Sequence, residues 1–352
     1  MAAALGVTLS VSASAGVAQA AGGGGWQRVY RSTSGTSNQL YSVAAISGSN
    51  AWAVGSWGRG ALVMHWNGSR WSRVTVAGQA SFYLTQVAAS SAGNVWAFGN
   101  TNNGLAGVAL RWDGSLWQRV PLPAGAFPDA AAVLSGSDVW ISGQQSCTGS
   151  GSAASCQTGM YRWNGSSWAG PYLVPALVNT ISAAGAGHIW LVGEAGTSQL
   201  PGPYRLVAYQ WSGQGWTSVR VPAPRSSGPP DLQVVSRSDV WLYSWLAAKP
   251  QRGYLLHWNG TGWRQIDAPA AIATSDGLIT DGQGGVWAGP WAHWTGRRWL
   301  GTVPGPSFAG NLNSFDLRGL ARIPGRTTVW GVGEVSHSPT SPIWDTLIAR
   351  YP

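Results

Sequence analysis

The sequence predicts an all-β fold: a seven-bladed β-propeller of four-stranded antiparallel blades. Two periodic Trp motifs and one displaced strand predict it. A small turn followed by an apolar run is centred on Trp52, Trp96, Trp140, Trp190, Trp241, Trp287 and Trp330, at spacings of 44, 44, 50, 51, 46 and 43 residues. A W-[NDST]-G-x-x-W unit follows at Trp66, Trp112, Trp163, Trp211, Trp258 and Trp294. Each carries a second Trp five residues on, at Trp71, Trp117, Trp168, Trp216, Trp263 and Trp299. A repeat near 45 residues built from short β-type runs is the signature of a propeller. The seventh repeat lacks its final strand, and the missing piece stands at the other end of the chain. Gly25-Trp-Gln-Arg-Val-Tyr30 matches Leu116-Trp-Gln-Arg-Val120. The N-terminal strand is therefore expected to complete the last blade and close the ring, which removes exposed sheet edges.

The first full repeat shows why each element forms. Leu40–Ile46 alternates and reads as a strand. Ser47–Asn50 is turn chemistry, since Gly, Asn and Ser favour tight reversals. Ala51–Gly55 is the second strand, 56–60 a loop, Ala61–Trp66 the third strand and Trp71–Val76 the fourth. Asn67-Gly68 between two apolar runs is a strong hairpin signal. It sets Trp66 opposite Trp71, where an aromatic pair contributes up to about 1 kcal/mol. Asn50, Asn94, Asp138 and Asp239 share one turn position and read as turn-forming residues rather than catalytic carboxylates.

Residues 26–352 are expected to form one domain, because each repeat buries its face against the next. Residues 1–20 end in Ala18-Gln19-Ala20 and read as a truncated signal peptide, with 21–25 as a linker. The expectation is a secreted, extracellular, bacterial protein without a membrane span. Cys147 and Cys156, the only cysteines, then read as one disulfide. Charged residues are 9% of the chain, yet 20 Arg and the single Lys249 outweigh 12 acids, giving net +9. That balance suits an anionic partner. The Arg are scattered along the sequence, which argues against nucleic acid and equally fits compositional bias.

Insertions fall between the second and third strands and between blades. In a four-stranded meander both connections emerge on one face, the face expected to bind. Four residues beyond each second-strand Trp stand Ser56, Asn100, Gln144, Glu194, Trp245, Trp291 and Glu334. They are expected to open the loops around the central opening. Trp245 and Trp291, flanked by Glu194 and Glu334, would hold a sugar through ring faces and carboxylates.

Catalytic signatures are missing. No HExxH, P-loop, GxSxG or Cys/His cluster occurs, and no metal or cofactor is expected. His65, His257 and His293 share a position with Arg111, Arg162 and Gln210, which marks that position as structural. Glu194 and Glu334 lie on non-adjacent blades, too far apart for the carboxylate separations of about 5–10 Å that glycosidases use.

Asp138-Val-Trp-Ile-Ser-Gly followed by Arg162-Trp-Asn-Gly-Ser-Ser-Trp168 resembles the propeller repeats of secreted actinobacterial proteins labelled kelch-like or galactose-oxidase-like. The Gly-Gly pair of true kelch repeats and the copper ligands of galactose oxidase are not found. Trp112-Asp-Gly-Ser-Leu-Trp117 and Trp258-Asn-Gly-Thr-Gly-Trp263 are similar to the hairpins of fucose-binding propeller lectins. These resemblances imply a propeller that binds glycans. The functional expectation is a monomeric binding module for surface or environmental glycans or another envelope component. The alternatives are a protein–protein scaffold using the same face and a glycan hydrolase or lyase.

Overall fold

The structure, a computed structural model, describes residues 24–32, 35–148, 155–195, 205–222, 228–246, 252–268, 277–300, 303–308, 315–336 and 343–352. The expected signal peptide, most of the linker, Lys249 and Asp276 lie outside them. Seven antiparallel sheets succeed one another along the chain. Blade 1 comprises Asn38–Ser47, Asn50–Trp57, Gly60–Trp66 and Trp71–Arg73. Blade 7 comprises Phe315–Arg322, Val329–Ser336, Trp344–Tyr351 and, as its outermost strand, the N-terminal Gln27–Arg31. The first strands of successive blades touch all round, including that of blade 7 against that of blade 1, so the ring is closed. Blade 6 is reduced to Leu278–Thr280, Val286–Ala288 and His293–Trp294, with one bridge from Trp294 to Trp299 in place of a fourth strand.

The N-terminal strand is held as expected. It pairs with the third strand of blade 7, Gln27 opposite Arg350 and Arg31 opposite Leu347. The Arg31 guanidinium grips the buried Asp345 carboxylate at 2.6 Å. Trp26 is 3% exposed and donates its indole N–H to Pro290 O at 2.7 Å, a link to blade 6.

The Trp periodicity builds the contacts between blades. Six of the second-strand Trp residues pack ring to ring on the hairpin aromatic pair of the following blade, and Trp241 shares an apolar cluster with Trp294 and Trp299. Trp52 meets Trp112 and Trp117 with ring centroids at 5.0 and 5.1 Å, and Trp140 meets Trp211 and Trp216 at 4.7 and 5.3 Å. Trp330 closes the ring on Trp66 and Trp71 at 5.1 and 5.3 Å. In blade 7 the hairpin pair is Tyr351 and Trp26, which pack on Trp287 at 4.6 and 5.9 Å. Edge-to-face aromatic contacts of this kind add about 0.5–1.5 kcal/mol each beyond area burial. Polar side chains supply further links. Ser42 Oγ donates to Val87 O and accepts from Val87 N, and Gln86 Nε2 donates to Ala131 O.

The shared His/Arg/Gln position covers the second-strand Trp from across the hairpin. His65 stacks on Trp52 at 4.2 Å, His257 on Trp241 at 3.9 Å and His293 on Trp287 at 4.4 Å. Arg162 lies 5.5 Å over Trp140. Turn residues hold these covers: Asn50 binds His65 (3.1 Å), Asp138 binds Arg162 (2.8 Å), and Asp239 binds His257 (3.0 Å). At the hairpins, Asn67 Oδ1 accepts from Ser69 N and Arg70 N, with Gly68 at φ 97. That turn requires both residues.

The sequence misplaces two boundaries of the first blade: the fourth strand, expected to reach Val76, ends at Arg73, and the second strand runs further than expected. Residues 56 and 57 continue the second strand, which runs to Trp57, leaving a turn of two residues rather than the loop expected over 56–60. The physical cause is continued pairing on both sides, Ser56 and Trp57 opposite Gln39 and Asn38 of the first strand and Ala61 and Gly60 of the third; the ladder carries a bulge just before these pairs. In blades 1, 2, 4 and 7 the first strand carries one extra residue, at Tyr41, Thr85, Asn179 and Arg318. The second strand bears glycine there because the bulged backbone comes close. A Cβ on Gly55 would sit 1.8 Å from Gln39 O, and one on Gly193 2.1 Å from Leu177 O.

Candidate functional site

Strand direction places the ends of all second strands and the starts of all third strands on one face, the loop face. The turns and hairpins occupy the other, the turn face. The seven predicted residues do reach the loop face: six lie on the extended second strands rather than in loops, and Trp291 lies in the turn that follows the short second strand Val286–Ala288. Six of them are built into the blades. Ser56 Oγ lies 3.1 Å from the Tyr41 hydroxyl, which donates to Gln39 Oε1 at 2.7 Å. Asn100 is buried and bonds the Asp129 carboxyl, whose pKa is nonetheless raised by desolvation. Glu334, 2% exposed, takes the Arg318 guanidinium, which also faces Asp316 at 3.6 Å.

The two aromatics differ from the expected open platform. Trp245 is 7% exposed. Tyr243 meets it edge-on at 5.4 Å, and Gly228 lies so close that a Cβ there would be 2.9 Å from its Cδ1. Trp291 is half-buried and packs edge-on against Phe315 at 5.5 Å. Glu194 is 8% exposed, and burial pushes its carboxyl pKa up. It makes no ion pair among the described residues.

Gln144 is the exposed member of the seven, and it lines a cleft of about 320 Å³ on blade 3. The cleft exists because blade 3 is overgrown. Its second and third strands, Asp138–Thr148 and Ser155–Trp163, stay paired as far as Thr148 opposite Ser155. The Cys147–Cys156 disulfide ties them there. The fourth strand, Trp168–Val174, is seven residues long against three in blade 1. It lays Pro171 on Gly159, where a Cβ would be 2.8 Å away. Walls are thus raised on both sides of a trough containing Gln144, Gln145, Ser146, Gln157, Tyr161, Pro171 and Leu173. The lining carries no formal charge. Gln145 Nε2 is engaged by Val178 O at 3.2 Å, and the Tyr161 hydroxyl donates to Ala124 O at 3.0 Å. Gln144 and Gln157 present exposed amides.

Of the residues lining the cleft, repeat position singles out Gln144. Gln157, Tyr161 and Pro171 were not singled out, although blade 3 has the longest insertion and the only cysteines. No group of three or more His, Cys, Asp or Glu suited to a metal occurs among the described residues. Nor is any helix there long and apolar enough to cross a membrane.

The sequence matches no family model and no curated protein. Solved structures match the fold. "YCF48 bound to D1 peptide" is 14% identical, with a TM-score of 0.58, over 95% of this chain and 99% of that one. YCF48 from Cyanidioschyzon merolae gives 14% and 0.58 over 93% and 98%. A lectin from Aleuria aurantia in complex with α-methyl-L-fucoside gives 16% and 0.45 over 77% and 97%. At these identities the likeness is one of architecture.

Proposed function

We propose that this protein is an extracellular binding module that takes a neutral, hydroxyl-rich glycan in the blade 3 cleft. The observation that carries this is the lining: exposed Gln144 and Gln157 amides, a hydroxyl-bearing Tyr161 and an apolar Pro171 and Leu173 wall, with no charge among them. Sugars present hydroxyls that both donate and accept, and amides complement both roles. Their C–H faces suit the apolar wall. The disulfide that holds the cleft suits an oxidising compartment, in keeping with export through residues 1–20. The other six loop-face positions fix the strands around the opening. Glu334 is engaged by Arg318 and Glu194 lies on blade 4, so these two do not form a carboxylate pair.

The test is a glycan array followed by calorimetry on the full chain. Gln144→Ala with Gln157→Ala is expected to weaken the selected glycan at least about tenfold, a loss of two hydrogen bonds, with unfolding unchanged. Undiminished affinity in the double variant overturns the cleft assignment. A protein partner is the second reading. Leu105 and Leu173, 79% and 58% exposed, stand on the loop face and suit a protein contact. A silent array and a partner lost on Leu173→Asp would favour it.

A further inference from the structure

We propose that the turn face of blades 6, 7 and 1 is a docking surface for a linear anionic polysaccharide, separate from the cleft. Arginines dispersed in sequence converge there. Arg297 and Arg298 sit in the blade 6 hairpin, Arg322 and Arg326 flank the blade 7 turn, Arg350 ends its third strand, and Arg70 closes the blade 1 hairpin. Two of them bridge the blades. A Cβ on Gly282 of blade 6 would meet the Arg322 guanidinium at 2.8 Å, and one on Gly48 of blade 1 would meet that of Arg326 at 3.3 Å. Arg322 Nη1 donates to Arg326 O at 3.0 Å, which ties the two together, and its buried Nε–H has no partner.

None of these six arginines forms an ion pair among the described residues. The acid beside them, Asp281, is 5% exposed and spent inward on His293, Gln283 N and Gly285 N. The acids Asp129, Glu194, Asp316 and Glu334 gather instead on the loop side of the opening. On the arc of blades 6, 7 and 1 the arginines therefore outnumber the acids, and none of the six is neutralised by an ion pair among the described residues.

The chemistry selects the ligand. Guanidinium forks pair bidentately with carboxylate or sulfate. Between the forks lie Gly, Ser, Asn and Thr turn residues that suit hydroxyls. None of the exposed large hydrophobic side chains, Val29, Leu105, Leu116, Leu173 and Val235, lies in the turns and hairpins of this arc. Among the described residues this arc thus presents no large exposed apolar side chain as a platform for unstacked bases or a wedge for a bilayer, and the half-buried Trp299 spends its indole N–H on Asp267 O.

The test uses the full chain against immobilised heparin, polygalacturonate and duplex DNA at low and high salt. The triple variant Arg70→Gln, Arg298→Gln, Arg326→Gln is compared with Arg59→Gln, Arg205→Gln, Arg252→Gln, which removes the same charge from the loop face. The first set is expected to lower polysaccharide affinity about tenfold and flatten its salt dependence. The second should change affinity by less than about twofold, a difference that screening of distant charges allows. Equal losses in both sets, no binding by the parent protein, or DNA bound as tightly as both polysaccharides would each overturn the proposal. Gln144→Ala with Gln157→Ala should retain polyanion binding, so failure of the cleft and failure of this surface give different results.

Discussion

Glu194 is the residue at which sequence position and physical environment diverge most. Its repeat position promised a solvated carboxylate beside an opening. The side chain is instead buried without an ion-pair partner, and desolvation raises its pKa. An acid titrating higher in the folded chain than in the unfolded one costs stability once it ionises. That cost is absent below the ordinary carboxyl value of 4.5, grows as pH rises through the folded pKa, and then stays constant. Glu194→Gln should therefore raise the unfolding temperature at pH 7 and leave it unchanged near pH 3.5 (roughly a unit below the ordinary value). Equal melting of the two proteins at neutral pH would show the carboxylate to be stabilised by a group the geometry does not reveal. Gln144 illustrates the opposite case. Its repeat position was legible, but its prominence was not, because the cleft depends on where Pro171 and Leu173 fall across the sheet, and no period encodes that.

Among the elements, the displaced N-terminal strand was the most legible, since Trp26 aligns with Trp117 and Gln27-Arg28-Val29 with Gln118-Arg119-Val120. The role of the Trp pairs was half legible. The hairpin spacing places Trp66 opposite Trp71, yet the packing onto Trp330 of the preceding blade is a tertiary contact that spacing alone cannot show. The bulge was illegible, because Tyr41, Thr85, Asn179 and Arg318 share no residue type, although the glycines facing it recur. Loss of the N-terminal strand tests the closure. A chain beginning at Gly35 would expose the Trp287–Tyr351 interface and the Leu347–Ala349 edge. It should lose several kcal/mol, of the order of two buried aromatic contacts and a strand ladder, and associate through the open edge. Urea titration and light scattering check this; a stable monomer would mean that blade 7 is self-sufficient.

At the scale of the whole molecule, six of the seven interfaces use the same three-ring arrangement, and at the seventh Trp241, Trp294 and Trp299 share one apolar cluster, so no blade is terminal. Trp140→Ala, which removes a fully buried ring between blades 3 and 4, should cost about 3–5 kcal/mol. The loss should shift one cooperative transition rather than split it, with fluorescence and circular dichroism midpoints coinciding. Separate transitions for the two halves would show that the ring melts piecemeal. The same arrangement carries a broader consequence. Each blade offers its second-strand Trp forward and its hairpin pair backward, so the contact is head-to-tail and always points the same way around the axis. That is the geometry of a cyclic homo-oligomer, a heterologous interface whose rotation happens to close, here written on a single polypeptide. In such an assembly the covalent join between neighbours is incidental. Any inter-blade connection could therefore be opened to give an equivalent molecule.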